Sequence, residues 1–244
     1  MRVIATIEAR MTSKRLPGKV MLPVLNKPIL HFLVERLKNV PSIDDIILAT
    51  TINETDDILV QFAKDENINW FRGSEDNVML RVIEAASSAN ADIVVEITGD
   101  CPIIDPKIIE QSILMFKANN ADYVSNAIIR SFPDGMDTQV FLLDTLKKSF
   151  LMTNDPLDHE HVTLHIRNNP DIFTRINIVA PPELEWPNLG LTLDERDDYN
   201  LLKKVIEHFE HNKPLFECID VVNFLRNSPH LVKINENIQR KGNN

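Results

Sequence analysis

Val3-Ile4-Ala5-Thr6-Ile7, followed two residues later by Ala9–Lys19 with the sequence ARMTSKRLPGK, is where the reading of this chain starts. The apolar run reads as a strand buried on both faces, the habit of strands in parallel sheets. The eleven residues after it carry four cations, two hydroxyls and one glycine. Ligands of open α/β sheets bind beyond the carboxyl ends of the strands. Cations and free backbone amides gathered there form a cradle for a polyphosphate. Arg10, Lys14, Arg15 and Lys19 supply the charge, Thr12 and Ser13 supply donors, and Gly18 lets the backbone come close to a ligand. The loop has neither the Gly-x-x-x-x-Gly-Lys-Ser/Thr order of a P-loop nor the spaced glycines of a dinucleotide fold. A solvated basic turn is the alternative; the place after a buried strand and the Pro17-Gly18 ending favour phosphate.

The same grammar repeats outward. Ile29, Leu30, Leu33, Val34 and Leu37 fall on one helical face, and Asp45–Thr50 is the next strand. Thr55 is placed to cap a helix with Asp56 and Asp57 in its first turn. Ile68–Phe71 reads as a short strand, Asn77–Ala89 as a helix and Asp92–Thr98 as a long buried strand ending in Gly99-Asp100. Asp105-Pro106 then opens a helix through Phe116, with aspartate as cap and proline in the first turn. Such βα units predict an α/β protein: a mostly parallel sheet between two layers of helices.

The second half is less regular. Strands are expected at Asp122–Ser125, Thr138–Leu143, Phe173–Val179 and Leu189–Asp194, with a turn at Pro133-Asp134-Gly135. Helices are expected at His159–Asn168, from about Asp197 to His211 and from Cys218 to Arg226, and the tail beyond Lys233 reads as frayed. The expectation is one domain over residues 1–244, with a smaller subregion over about 125–182 laid against the sheet for acceptor binding or dimerisation.

Composition narrows the class. The chain has 244 residues, 43% hydrophobic and 25% charged, as globular proteins do, and a net charge of -10 that argues against non-specific nucleic-acid binding. Two cysteines are too few for a disulfide framework and lack metal-ligand spacing. No apolar stretch reaches the roughly 18 residues of a membrane span, and no signal-peptide core opens the chain. A cytoplasmic enzyme or binding protein is expected.

Two acids stand out. Asp100 follows a buried strand at the sheet edge where the basic loop also emerges; it is either a magnesium ligand or a turn aspartate bonded to nearby amides. Asp194 ends Leu189-Gly190-Leu191-Thr192-Leu193 in the same manner, whereas Glu195, Asp197 and Asp198 suit the first turn of the following helix. Two carboxylates facing a basic loop make a site for metal-assisted phosphoryl or nucleotidyl transfer. Arg72–Asn77 reads as a helix N-terminus capped by Ser74 or Asp76 that can also meet a base or ribose. His159, His161 and His165 lack a zinc pattern; His161 is either a donor to an anionic substrate or a packed helical histidine.

The series ARMTSKRLPGK, FRGSEDNV (Phe71–Val78), EITGDCPIIDP (Glu96–Pro106), SFPDGMDTQVF (Ser131–Phe141), HEHVTLHIRNNP and LTLDERDDYNLL, with Asn235 in the tail, resembles the SpsF-type cytidylyltransferases in order over nearly the whole chain. That family is named for spore coat polysaccharide biosynthesis and is related to the CMP-sialic acid and CMP-Kdo synthetases. The resemblance implies a Rossmann-like nucleotide-diphospho-sugar transferase fold. It also implies transfer of CMP from CTP to a sugar acid of the nonulosonic or Kdo type, dependent on magnesium or manganese, in a homodimer. By position it places Ala9, Arg10, Ser13, Arg15 and Lys19 on the triphosphate, and Ser74, Asp76 and Arg81 near the cytidine. Asp100 and Asp194 fall on the metal, with Arg10, Lys19 and Asp100 as the catalytic set. Asp134, Asp137, Gln139 and His161 fall in the acceptor segment. The rivals are a sugar-1-phosphate nucleotidyltransferase, disfavoured by the absence of a glycine-rich first loop, and a glycosyltransferase, disfavoured by the absence of Asp-x-Asp near Asp100. A non-catalytic nucleotide sensor would have no need of both acids.

Overall fold

The computed structural model describes residues 1–239. Alternation along the first strand sets up the layers. In β1 (Val3–Glu8), Val3, Ala5 and Ile7 face one side of the sheet, while Ile4, Thr6 and Glu8 face the other. A short hairpin, β2 (Pro23–Val24) with β3 (Lys27–Pro28), leads into α1 (Ile29–Lys38). Then come β4 (Asp45–Thr51), α2 (Asp57–Asp65), β5 (Asn69–Gly73), α3 (Val78–Ser88), β6 (Ile93–Thr98) and α4 (Pro106–Ala118). The second half supplies β7 (Tyr123–Ser125), β8 (Gln139–Leu142), α5 (Leu143–Met152), α6 (Pro156–Glu160), α7 (Leu164–Asn168) and β9 (Arg175–Asn177). It ends with α8 (Arg196–Phe209), α9 (Cys218–Arg226) and α10 (Pro229–Val232).

The main sheet has seven strands in the order β5-β4-β1-β6-β8-β7-β9, parallel except for β8, which runs against both neighbours. The α/β class with a mostly parallel sheet is therefore as expected. Helices α1, α2, α4, α8 and α9 pack on the face of Val3, Ala5 and Ile7, and α3, α5 and α7 on the face of Ile4. The chain leaves β1 toward β4 and leaves β6 toward β7, so the loops after these neighbouring strands diverge. That is the topological switch point where open α/β sheets bind ligands.

Several local expectations change on packing. The subregion expected over about 125–182 does more than lie against the sheet: its α5 and α7 pack on the Ile4 face, while β8 and β9, with β7, complete the sheet itself. The expected helix over His159–Asn168 breaks into α6 and α7 around Val162, whose φ is 35°. Leu189–Asp194 is not a ladder strand. It touches the Asp134–Gly135 turn through one bridge, with Leu191 N donating to Asp134 O at 2.7 Å. Gly135 has φ 105°, and a Cβ there would lie 2.7 Å from the Leu191 carbonyl, so this crossing requires glycine. The cap of α3 is Asn77, accepting from Leu80 N, rather than Ser74 or Asp76. The tail is not frayed at Asn235, which is buried.

Thr55 does not cap α2 either, and Asp56 does more than load its first turn. Fully buried, its carboxylate accepts from Met11 N (2.8 Å), Thr50 Oγ1 (3.0 Å), Thr51 N (3.2 Å) and Thr51 Oγ1 (2.6 Å). One side chain thus ties the basic loop to the end of β4. Asp56→Ala leaves four buried donors unmatched and should cost about 3 kcal/mol or more, read as a lower urea midpoint with an unchanged slope.

Candidate active site

The basic loop is held at both ends. Its start is fixed by Met11 N on Asp56, and its end by Gly18, whose φ of 69° allows its N–H to donate to Met11 O at 2.8 Å. Lys19 follows at once in a single 3-10 turn, Lys19–Met21. The middle of the loop is gathered by Glu75. Its carboxylate accepts from Thr12 Oγ1 (2.5 Å), Asn53 Nδ2 (2.6 Å) and Arg10 Nη1 (3.2 Å). The hydroxyl of Thr12 and the amide of Asn53, with Arg10 alongside, hold this carboxyl below the usual range. In the sequence, Glu75 is one of several polar groups in the Arg72–Asn77 stretch and is given no role of its own.

Lys19 is the meeting point of the site. Its Nζ donates to Asp100 Oδ2 at 2.8 Å and to Asp194 Oδ1 at 3.1 Å, and Arg15 Nη2 lies 2.6 Å from the same Asp194 oxygen. Burial works against charge on both Lys19 and Asp100, yet their mutual attraction outweighs it. The ammonium is pushed up and the Asp100 carboxyl is held down. Asp194 arrives from distant sequence because Leu193 N donates to Asp100 O at 2.8 Å. Asp198 accepts from Asp194 N and Glu195 N and closes a capping box with Glu195 at the start of α8. Asn235 Nδ2 in turn donates to Asp198 Oδ1 (2.8 Å) and Gly190 O (2.9 Å), so the tail braces the segment carrying Asp194.

One cleft of about 550 Å³ opens over the switch point. Of the residues singled out in the sequence, Ala9, Arg10, Ser13, Arg15, Lys19, Arg81, Asp100, Gln139, His161 and Asp194 line it. Ser74, Asp76, Asp134 and Asp137 do not. Ser74 Oγ accepts from Asn77 N (3.0 Å), Asp76 is exposed and Asp134 lies 3.8 Å from Arg130 Nη1. Asp137 sits behind the wall, its carboxyl pushed up to about 6 by burial and then by Asp134. His161 is exposed on the rim, while His159 stacks on Phe150 and His165 lies 3.2 Å from Asp158.

Two acids that the sequence reading passed over, Glu8 and Glu96, form part of the cleft floor. The signal for them was present: each is a charge at the alternating position of a strand that is otherwise apolar. Burial pushes both carboxyls up, and the like charge of Glu96 raises Glu8 further.

A basic loop and a strand-end acid at the switch point of a parallel sheet define a nucleotide-binding α/β protein. The family of cytidylyltransferases matches residues 4–227, and this chain belongs to it. It is 29% identical over 232 residues to the spore coat polysaccharide biosynthesis protein SpsF of Bacillus subtilis, covering 93% of this chain and 95% of that one. It is 28% identical over 210 residues to the 3-deoxy-manno-octulosonate cytidylyltransferase of Geobacter metallireducens, covering 76% and 82%. A cytidylyltransferase structure from Leptospira borgpetersenii superposes with a TM-score of 0.91 at 32% identity, over 98% of this chain and 99% of that one.

The Lys19 cluster can be tested without substrate. In Lys19→Met, the Asp100 carboxyl loses its adjacent cation and should titrate at higher pH than in the parent, read by 13C NMR of labelled aspartate. The sign follows from linkage: a depressed carboxyl stabilises the fold above its unfolded pKa, and that contribution disappears as pH falls through the folded value. The acid-side loss of stability tied to Asp100 should therefore be smaller in the variant and confined to a narrower pH range, its onset being fixed by the unfolded carboxyl.

Proposed function

We propose that the chain transfers CMP from CTP to a hydroxyl of a sugar acid, releasing pyrophosphate, with magnesium held by Asp100 and Asp194. The observation that carries this reading is the convergence of Asp100 Oδ2 and Asp194 Oδ1 on Lys19 Nζ at the inner edge of the basic loop. The motif order shared with the SpsF-type cytidylyltransferases, a family related to sugar-acid synthetases, supports the acceptor class and a homodimer. The name of the Bacillus relative supports a role in polysaccharide synthesis.

The donor set fits a divalent magnesium ion. Two carboxylates from different segments present hard oxygen ligands beside a phosphate-binding loop, and magnesium favours one or two carboxylates completed by phosphate oxygens and water. Bound there, it would supply Lewis-acid polarisation of the phosphate oxygens.

The remaining chemistry belongs to side chains of this chain. Arg10 and Arg15 line the cleft at its phosphate end and match the charge of a triphosphate. Arg15 is paired with Asp194 in the free protein, so an arriving triphosphate competes with that carboxylate for the guanidinium. Lys19, buried and holding its proton firmly, keeps positive charge where negative charge grows on the departing pyrophosphate. In the transfer itself, the acceptor oxygen bonds to the α-phosphorus and gives up its hydroxyl proton to solvent, as the bond from that phosphorus to the bridging oxygen of pyrophosphate breaks. Such displacement asks the protein chiefly for alignment and charge.

Asp100→Asn keeps the size of the side chain and removes its charge. Magnesium-dependent pyrophosphate release from CTP should fall by about 10²-fold or more, while CTP affinity, measured calorimetrically without metal, should stay within about threefold, since each threefold is only ~0.65 kcal/mol. Near-normal turnover in this variant would overturn the assignment of Asp100.

A further inference from the structure

The cleft is electrically two-ended. Arg10, Lys14, Arg15 and Lys19 come from the loop after β1, whereas Glu8 and Glu96 on β1 and β6 form the floor, with Arg81 and Arg167 also in the lining. The strand register places Thr6 opposite Glu96 and Glu8 opposite Thr98, so Glu8, Thr6 and Glu96 are neighbours on one face of adjacent strands. Below them the same face is apolar, with Ile4, Val94 and Phe141 fully buried.

This polar floor is incomplete as built. Both carboxyl oxygens of Glu8 and the hydroxyl of fully buried Thr6 are shielded from solvent and lack hydrogen-bond partners among the described residues. No lysine or arginine of the described residues forms a salt bridge with Glu8 or Glu96. Arg81 is 2% exposed and borders the floor, but its Nη1 is committed to the carbonyls of Ser74 and Glu75. Glu96 receives one donor, the amide of Gln139. That amide is oriented because its carbonyl accepts from Tyr123 Oη (2.6 Å) and from the Thr163 hydroxyl. Gln139 is thus a positioning residue for Glu96.

Two carboxyls buried side by side with no cation in salt-bridge contact are costly, even though Arg81 attracts Glu8 and Arg167 attracts Glu96 from further off, and replacing such groups by apolar ones is often stabilising. A proton shared between them relieves the repulsion and pairs one oxygen of each, but leaves the other Glu8 oxygen and the Thr6 hydroxyl to be matched. A ligand that brings a cation with several N–H donors into the cleft satisfies both charge and hydrogen bonds at once. An ammonium group does so with three donors.

We infer that Glu8 and Glu96 form a subsite for a primary ammonium group on the acceptor, so that the acceptor is an amino sugar derivative rather than a purely hydroxylated one. This rests on the cytidylyl-transfer reading for the identity of the other half of the cleft, and it deepens that reading by naming the acceptor's charge pattern: anionic where the nucleotide is joined, cationic at the floor.

The test uses the full-length protein with labelled glutamate side chains, glucosamine and glucose as probes, and 13C NMR of the Glu8 and Glu96 carboxyls, with and without saturating CTP. Glucosamine should drive both signals toward the ionised position, and glucose at the same concentration should leave them in place. Glu8→Gln and Glu96→Gln should each weaken the glucosamine response by at least about tenfold, as expected for loss of a charge-assisted hydrogen bond. Their melting temperatures, equal to or above that of the parent, would show that folding is intact. Equal responses to the two sugars, or no response to glucosamine, would overturn the subsite. The cytidylyl-transfer reading fails separately, if CTP leaves the signals of Arg10, Arg15 and Lys19 unperturbed while the glutamates still answer to glucosamine.

Discussion

The ammonium of Lys19, shared between Asp100 and Asp194, is the contact that organises this molecule. It joins three parts of the chain, the loop after β1, the turn after β6 and the segment before α8. Each partner is substantially buried, and none could be left charged there alone at modest cost. The braces around it act in the same direction. Leu193 is tied to the Asp100 carbonyl, Asp198 holds the backbone of Asp194 and Glu195, and Asn235 holds Asp198. A residue near the end of the chain therefore bears on the placement of an acid at the centre of the cleft.

The floor of the cleft follows a different logic. The Lys19 cluster balances two cations with two carboxylates, while Glu8 and Glu96 have the Gln139 amide on Glu96 and only the more distant Arg81 and Arg167 as cations. A protein built only for stability would have continued the apolar pattern of Ile4 and Val94 through these positions. Charge kept in such a place points to a ligand. The separation of basic end and acidic floor also gives an extended substrate one orientation, since the reversed pose sets phosphate against carboxylate.

Much of the fold was readable because its signals are short-range. The apolar runs that become β1, β4 and β6, and the Asp105-Pro106 start of α4, act through neighbouring residues, and the structure keeps them. Two of the misreadings share a cause as well. Leu189–Asp194 has the composition of a strand, but its backbone bonds go to a turn and to Asp100. The pattern at His159–Asn168 looks continuous, yet Val162 turns out of helical geometry between α6 and α7. Asp56 reads as helix-start charge and is instead the buried anchor of the basic loop. In the first and third cases a partner distant in sequence overrides local preference, as tertiary contacts routinely do.

The candidate site divides along the same line. The amino-acid order alone carried the layered α/β class, the position of the basic loop at a strand end, and the candidacy of Asp100 and Asp194. Strand periodicity, loop charge and strand-end acids are properties of a few consecutive residues. Only the assembled sheet decided that Lys19 bridges those two acids, that Ser74, Asp76, Asp134 and Asp137 stand outside the cleft lining, and that Glu8 and Glu96 share its floor. Those facts depend on which strands become neighbours and in what register, and register is set by the packing of whole faces, to which a single charged position contributes little.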